Sequence, residues 1–336
     1  MFTRRKQEGR SRVSFIVLTL LLIVAIISGC GAPATNNKEG VKGNATVEPS
    51  PTATTEAPAE ETKQFKTIKT INGDIEVPVN PIRIVAEEYL GTLIALGVVP
   101  VGAPGLTIKN YYFKEALAKV ADIGDYSKPS IENIIALSPD LILTGVQDNY
   151  AQLSKIAPTV VIPYGDLKNT HDELTYFGTL FNKEAEAKAW LAQFDERIAA
   201  AKAKVDAVIP ADATFTIFED GGKQTWAYGD NFGRGGQPIY QALGRKPPTE
   251  VAAEIMEKQW AEITAELLPK YAGDYLIVTS NTRTVEDFKA DPIWGSLPAV
   301  KNGNIYVWKE EVSWYYDPLA VLAQTEELTE WLTTKK

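Results

Sequence analysis

Residues 183–208 run without a proline or glycine, and the first helix breaker after them is Pro210. The segment is rich in Ala, Glu, Lys and Arg, which favour helix, and places Trp190, Leu191, Phe194, Ile198 and Val205 at helical spacing. Such a helix of about 25 residues would be near 38 Å long at 1.5 Å per residue. On either side the pattern changes to short strands alternating with short helices. A rod of this length between two such stretches acts as a stiff connector, and that restricts how the rest of the chain folds.

In the stretch before the connector, alternation over residues 67–71 and 75–78 around Asn72-Gly73 predicts a hairpin. Residues 83–86, 99–101, 141–143 and 159–162 read as strands, and residues 89–96, 131–137 and 150–156 as helices. After the connector, residues 213–218, 275–278 and 305–308 read as strands, and residues 239–243, 264–268 and 320–332 as helices. Strands alternating with helices indicate α/β units with mostly parallel sheets. A faint echo links the halves. Ser130-x-Glu132 opens a helix leading to the strand that begins after Asp140, and Thr264-x-Glu266 opens one leading to the strand after Asp274. Each has a hydroxyl cap and a glutamate in the first turn, which is favourable at any helix start and also consistent with two lobes of similar plan.

The N-terminus sets the compartment. Arg4, Arg5, Lys6, Arg10 and Arg12 precede an apolar run over residues 15–27, too short for a span of about 20 residues but suited to a secretion signal. The run ends at Ser28-Gly29-Cys30, the chain's one cysteine, and resembles the lipobox of bacterial lipoproteins. The resemblance implies a signal peptide over residues 1–29, with Cys30 lipidated as the first residue of the mature protein. Residues 30–64 follow as a flexible tether, because Asn, Thr, Ala, Pro and Glu dominate and few large apolar side chains offset the cost of ordering. The folded parts are then an N-terminal α/β lobe over residues 65–182, the connecting helix over 183–208 and a C-terminal α/β lobe over 209–336. Removing the leader takes the formal charge from −9 to −13, which opposes sequence-blind nucleic-acid binding. With Cys30 committed to lipid, no thiol remains for a disulfide, metal or nucleophile.

Two aromatic clusters are the candidate ligand contacts. In Trp226-Ala227-Tyr228-Gly229-Asp230-Asn231-Phe232-Gly233-Arg234-Gly235-Gly236, glycines permit close backbone approach, aromatics offer flat apolar surface and a guanidinium offers rigid donors. The run reads as a ligand-facing loop and lacks the endings of phosphate or dinucleotide motifs. The second cluster, Trp314-Tyr315-Tyr316, precedes Asp317-Pro318, which reads as a helix cap and first-turn proline. Three adjacent aromatics cannot all face one way, so part of it is core. In the first lobe Tyr89, Tyr111, Tyr112, Tyr126 and Tyr150 fall near loops on the strand-exit side, whereas Trp294 and Trp308 read as core. His171, the one histidine, sits at a helix start as a cap or surface residue. No His and carboxylate cluster marks a metal site and no Gly-x-Ser-x-Gly elbow is present, so catalysis has little support.

Taken in order, these segments resemble the iron-siderophore substrate-binding lipoproteins of bacterial ABC importers. The residues that carry the resemblance are the lipobox, Pro81 to Val85, Pro129-Ser130-Ile131-Glu132 through Asp140-Leu141-Ile142, Ala272-Gly273-Asp274-Tyr275, and Asp291-Pro292-Ile293-Trp294 through Asn304-Ile305-Tyr306. The resemblance implies two α/β lobes bridged by one long helix, the helical-backbone receptor type, with ligand held in a shallow cleft between them. It implies permease docking through Glu132 and Glu266, although plain helix-end charges remain an alternative. Phe232-Gly233-Arg234-Gly235-Gly236 is most similar to the hydroxamate branch, where an aromatic-Gly-Arg unit faces the chelate; Phe232 stands where some members have Trp, which would make the stacking surface smaller. Arg234 would then donate to iron-bound oxygens, with Phe232, Trp226, Tyr228, Trp314, Tyr315, Tyr316, Tyr89, Tyr111 and Tyr126 as further contacts. The siderophore itself satisfies the iron, so no cofactor and no protein metal ligand is implied.

The expected role is a lipid-anchored, monomeric receptor on the outer face of the cell membrane that delivers a ferric hydroxamate-type siderophore to an ABC permease dimer. A tris-catecholate would want several converging cations, and Arg83 and Lys109 are the available additions to Arg234. Catecholate, cobalamin or haem binding by the same fold, and a carboxylate-dependent extracellular hydrolase, stand as alternatives.

Overall fold

The computed structural model describes residues 64–335 of the 336-residue chain. The expected leader, Cys30 and the tether through residue 63 lie outside the described residues. The first elements are β1 (Phe65–Thr70) and β2 (Gly73–Pro78), an antiparallel hairpin in register from Phe65↔Pro78 to Thr70↔Gly73. Its turn centres on Ile71 and Asn72, one residue earlier than the Asn-Gly pair predicts. Gly73, at φ 96°, takes the left-handed position that closes the turn.

The N-terminal lobe is built on β3 (Ile84–Ala86), β4 (Gly102–Ala103), β5 (Ala121–Asp122), a small hairpin of β6 (Gly124–Asp125) and β7 (Lys128–Pro129), then β8 (Leu141–Thr144) and β9 (Thr159–Val161). Five of these form a parallel sheet in the order β5-β4-β3-β8-β9. β3 and β8 are buried along their whole length, as expected for central parallel strands covered on both faces. The strand expected at 99–101 sits instead at Gly102–Ala103, because Pro100 has no amide hydrogen for the ladder. From the central pair the chain leaves β3 toward β4 on one side and β8 toward β9 on the other. Their C-terminal ends therefore frame a topological switch point, where α/β sheets hold ligands.

The connector helix spans Glu184–Asp206, within the expected 183–208. It buries Ala187, Phe194, Ala201 and Val205, and Trp190 stacks on Phe194 at 5.5 Å. Its remaining surface is largely solvated, which suits a strut.

The C-terminal lobe contains β10 (Phe215–Asp220), β11 (Thr225–Tyr228), β12 (Trp260–Ile263), β13 (Tyr275–Thr279) and β14 (Ile305–Trp308), in the order β12-β11-β10-β13-β14. β10, β13 and β14 are parallel, while β11 pairs antiparallel with both its neighbours. Two readings change here. Trp226, Ala227 and Tyr228 belong to a strand and not to the glycine loop that follows. β12 also occupies the residues just before Thr264, so the chain must turn before a helix can begin. Thr264 makes that turn through its carbonyl, and the helix starts only at Leu268–Tyr271, leaving Glu266 in the turn and not in a first helical turn. The expected helix at 239–243 is a π-helix, Gln237–Ala242.

The closing helix, Pro318–Thr333, starts two residues earlier than predicted. Asp317 caps it as its sequence suggests, its Oδ1 accepting from the amides of Leu319 and Ala320 at 3.1 Å. This helix returns to the first lobe. Val321 and Leu322 pack with Phe194 of the connector, and Gly91 of the helix Leu90–Ala95 lies so close to Asp317 that a Cβ there would be 2.0 Å from Oδ1.

Candidate ligand-binding cleft

Segments outside the strands of the two lobes face each other. Tyr164, just after β9, donates its hydroxyl to the carbonyl of Asn231 and meets the Phe232 ring edge-on at 5.6 Å. Tyr112 donates to the carbonyl of Val312, after β14, at 2.9 Å, and its ring lies 6.5 Å from Tyr315. Gln241 donates to the carbonyl of Lys168 at 3.1 Å. These bonds join the two lobes, and the side chains around them form the candidate ligand-facing walls, one from each lobe.

The C-terminal wall is organised around Arg234. Its side chain is 7% exposed, and a guanidinium so buried must be paired. Nε donates to Glu219 Oε2 at 2.8 Å, and Nη1 donates to the Phe232 carbonyl at 3.1 Å. Tyr228 donates to the same Glu219 oxygen at 2.8 Å. The guanidinium carbon lies 4.3 Å from the Trp314 ring, 4.7 Å from Tyr228 and 5.5 Å from Phe232, within cation–π range of all three. Nη2 carries no hydrogen bond among the described residues, so one face of the fork is left for a ligand oxygen. Arg234 sits at φ 58°, and its amide donates to the Ser313 carbonyl at 2.6 Å. A Cβ at Gly233 would fall 2.1 Å from the Trp314 carbonyl oxygen, and one at Gly235 would fall 2.7 Å from the Trp308 ring. The glycines are therefore needed to press the arginine turn against the second aromatic cluster.

The N-terminal wall starts at the end of β3. Glu87 is fully buried and turns toward Thr144, whose hydroxyl it accepts. Glu88 turns to the cleft and accepts from the Tyr126 hydroxyl. Tyr89, at φ 63°, reverses the chain into the helix Leu90–Ala95 and packs its ring 5.0 Å from Phe177. Burial pushes the Tyr164 hydroxyl up to about 12, with Arg234 opposing the shift and Asp230 and Glu88 adding to it. Tyr164 thus lies within the electrostatic reach of both walls.

Tyr228, Phe232, Arg234 and Trp314 lie together, and Trp314 is 41% exposed. Tyr315 lies near Tyr112, Tyr126 bonds to Glu88, and Tyr111 is half exposed. Tyr316 is more enclosed, packing against the cluster of Phe194, Val321 and Leu322 while lying near Glu88. Trp226 is not part of the arginine cage; it packs over Gly221 on the strand register opposite Glu219. Trp294 and Trp308 are core, each 5% exposed. His171 is a surface residue 2.9 Å from Asp195. Glu132 and Glu266 are both exposed. Glu132 begins a helix that runs back toward β8, and Glu266 follows the C-terminal end of β12, which is parallel to β10. Both stand on the cleft-side edge of their lobes.

Glu88, Glu219 and Tyr164 belong to the cleft and were not singled out. The missed signal is a pair of carboxylates placed directly after an apolar strand, Glu87-Glu88 after β3 and again Glu219-Asp220 closing β10. Among the described residues, no group of three or more His, Cys, Asp or Glu side chains is arranged to hold a metal.

A periplasmic binding protein family model matches residues 82–312. The chain belongs to this family. Among relatives, it is 33% identical to the iron(3+)-hydroxamate-binding protein YxeB of Bacillus subtilis over 94% of this chain and 95% of that one. It is 34% identical to the iron(3+)-hydroxamate-binding protein FhuD of Bacillus subtilis, over 93% and 95%. Among solved structures, the FhuD protein from S. pseudintermedius superposes with a TM-score of 0.72 at 30% identity, covering 80% of this chain and 98% of that one. FhuD2 from Staphylococcus aureus with bound ferrioxamine B gives 0.69 at 31% identity, covering 76% and 99%. The periplasmic binding protein described here thus shares its two lobes and connecting helix with proteins named for iron(3+)-hydroxamate binding.

Proposed function

We propose that this chain is a receptor that captures a ferric hydroxamate-type siderophore outside the cell and hands it to the permease of an ABC importer. The observation that carries the reading is Arg234, caged by Tyr228, Phe232 and Trp314, with no hydrogen bond at Nη2 among the described residues. The kinship with iron(3+)-hydroxamate-binding proteins over nearly the whole chain supports it. Aromatic faces cover the chelate's apolar backbone, while the guanidinium donates to oxygens that carry partial charge from iron. The iron is cargo, held by the siderophore. Catalysis has no role in this reading, as befits a family of binding proteins.

A tris-catecholate complex, with about three negative charges, fits less well, since the arginine of the cage is already paired with Glu219. Lipidation at Cys30 would tether the receptor to the outer face of the membrane through residues 31–63. Glu132 and Glu266, exposed on the cleft-side edge of each lobe, are suited to meet basic residues of the permease. The test is a tryptophan-fluorescence titration of the fragment from residue 64 onward with ferric and iron-free siderophores. Saturable quenching by ferric hydroxamates, with weaker response to ferric catecholates, is the expected result. Catecholate preference would overturn the ligand class, and no response to any chelate would overturn the receptor role.

A further inference from the structure

The two walls of the cleft treat their carboxylates differently. In each lobe, acidic residues lie at the C-terminal end of the strand that begins the parallel sheet: Glu87 and Glu88 after β3, Glu219 and Asp220 at the end of β10. In each lobe one of them is tied to a hydroxyl on the neighbouring strand's end. Thr144 donates to Glu87, and Ser280 donates to Asp220 at 3.0 Å. The other faces the cleft. Glu219 has a cation supplied by its own chain, Arg234, together with the Tyr228 hydroxyl. Glu88 has a phenol and no cation. Its Oε1 accepts from Tyr126, its Oε2 has no donor, and it forms no ion pair among the described residues.

Glu88 is also held in place. A Cβ at Gly145, just past β8, would sit 2.0 Å from its Oε2, so that glycine makes room for the carboxylate at the switch point. On its other side Tyr89 adopts φ 63°, a conformation that costs free energy in a non-glycine residue and persists at functional sites. A carboxylate left this enclosed without a cation is unfavourable until one arrives.

We propose that Glu88 is a specificity residue that reads ligand charge, pairing with a protonated amine on the siderophore and favouring cationic ferric hydroxamates over otherwise identical neutral ones. This inference rests on the hydroxamate reading above and adds the direction of its selectivity. The ligand then completes on the N-terminal wall the pairing that Arg234 completes on the C-terminal wall. Burial pushes the Glu88 carboxyl up from its usual range, with the Tyr126 bond opposing the shift. An ammonium beside it would draw the value back down and favour the ionised form.

The experiment compares ferrioxamine B, whose free amine is protonated at neutral pH, with its N-acetylated derivative, in which that charge is lost. Wild-type protein should bind the amine form about tenfold more tightly or better, the size of one charge-assisted hydrogen bond. Glu88→Gln, which keeps length and an acceptor for Tyr126, should bring the ratio close to unity. An unchanged ratio in Glu88→Gln would overturn the inference, because the preference would then come from Glu219 or the general acidity of the cleft. Equal wild-type affinity for both chelates would overturn it as well, while leaving the hydroxamate reading intact. If wild-type protein binds neither, the hydroxamate reading itself fails. Should Glu88→Gln not fold, Glu88→Asp, which withdraws the charge by one methylene, should reduce the ratio, and an undiminished ratio would again count against the role.

Discussion

Arg234 does two jobs at once, and they can be separated by measurement. Its Nε bond to Glu219 and its contacts with three rings hold the glycine turn against β10, whereas in the proposed receptor Nη2 is what a ligand would meet. Arg234→Ala should therefore weaken binding of a ferric trihydroxamate by roughly 1.5–3 kcal/mol, as for a hydrogen bond to a charged group. It should also lower the thermal midpoint, because Glu219 loses its partner and the aromatic cage loses its filling. Titration calorimetry and a melt together check both; unchanged affinity would remove Arg234 from the ligand site. This residue was legible because glycines and aromatics around one arginine are hard to explain by core packing. Glu88 and Glu219 were not, since a carboxylate after a strand looks the same in sequence whether it faces bulk water or a cleft. Only the neighbours supplied by Tyr126, Gly145 and Arg234 distinguish them.

At the scale of elements, the junction between the helices Leu90–Ala95, Thr170–Leu180 and Pro318–Thr333 concentrates buried charge. Glu173, 4% exposed, accepts from Thr92, and desolvation raises its carboxyl to about 8, with Asp317, Glu88 and Asp172 adding to the shift. A raised folded value means that this group's stability contribution is full below the ordinary carboxylate range. It is lost as pH climbs toward 8, because the unfolded chain ionises first. Unfolding free energy should fall by a few kcal/mol between about pH 5 and 8, and Glu173→Gln, neutral throughout, should flatten that slope. Urea midpoints across this range check it, and an equal slope in the variant would assign the dependence elsewhere. Gly91→Ala probes the same junction sterically: a Cβ 2.0 Å from Asp317 Oδ1 should destabilise the fold by about 1–3 kcal/mol, read from chemical denaturation. The long helix and central strands were legible from uninterrupted helical spacing and apolar runs. β11 and β12 were not. Each is four residues long, one begins beside a glycine turn, and their antiparallel pairing depends on partners far along the chain.

The whole molecule combines a rigid frame with an exposed edge, and each makes a prediction. Glu132 and Glu266 stand on the cleft-side edges, outside the ligand cage. Exchanging both for lysine should leave siderophore affinity unchanged and abolish uptake through the permease; normal uptake would end the docking role proposed for them. The frame itself is braced before any ligand arrives. A connector of 23 residues joins the lobes, and the closing helix packs on both the connector and the helix Leu90–Ala95. Tyr112, Tyr164 and Gln241 already bridge the cleft to backbone carbonyls of the opposite lobe. Wide closure would have to break these bonds and bend the strut, while the guanidinium proposed to meet the ligand is already caged in place. Little is gained by a large hinge motion. Small-angle scattering of the fragment from residue 64 should thus give a radius of gyration near 18–19 Å, changing by less than ~0.5 Å when ferric hydroxamate is added. A contraction of about 1 Å or more would mean that the interlobe bonds yield on binding and that the cleft is a closing jaw and not a preformed cradle.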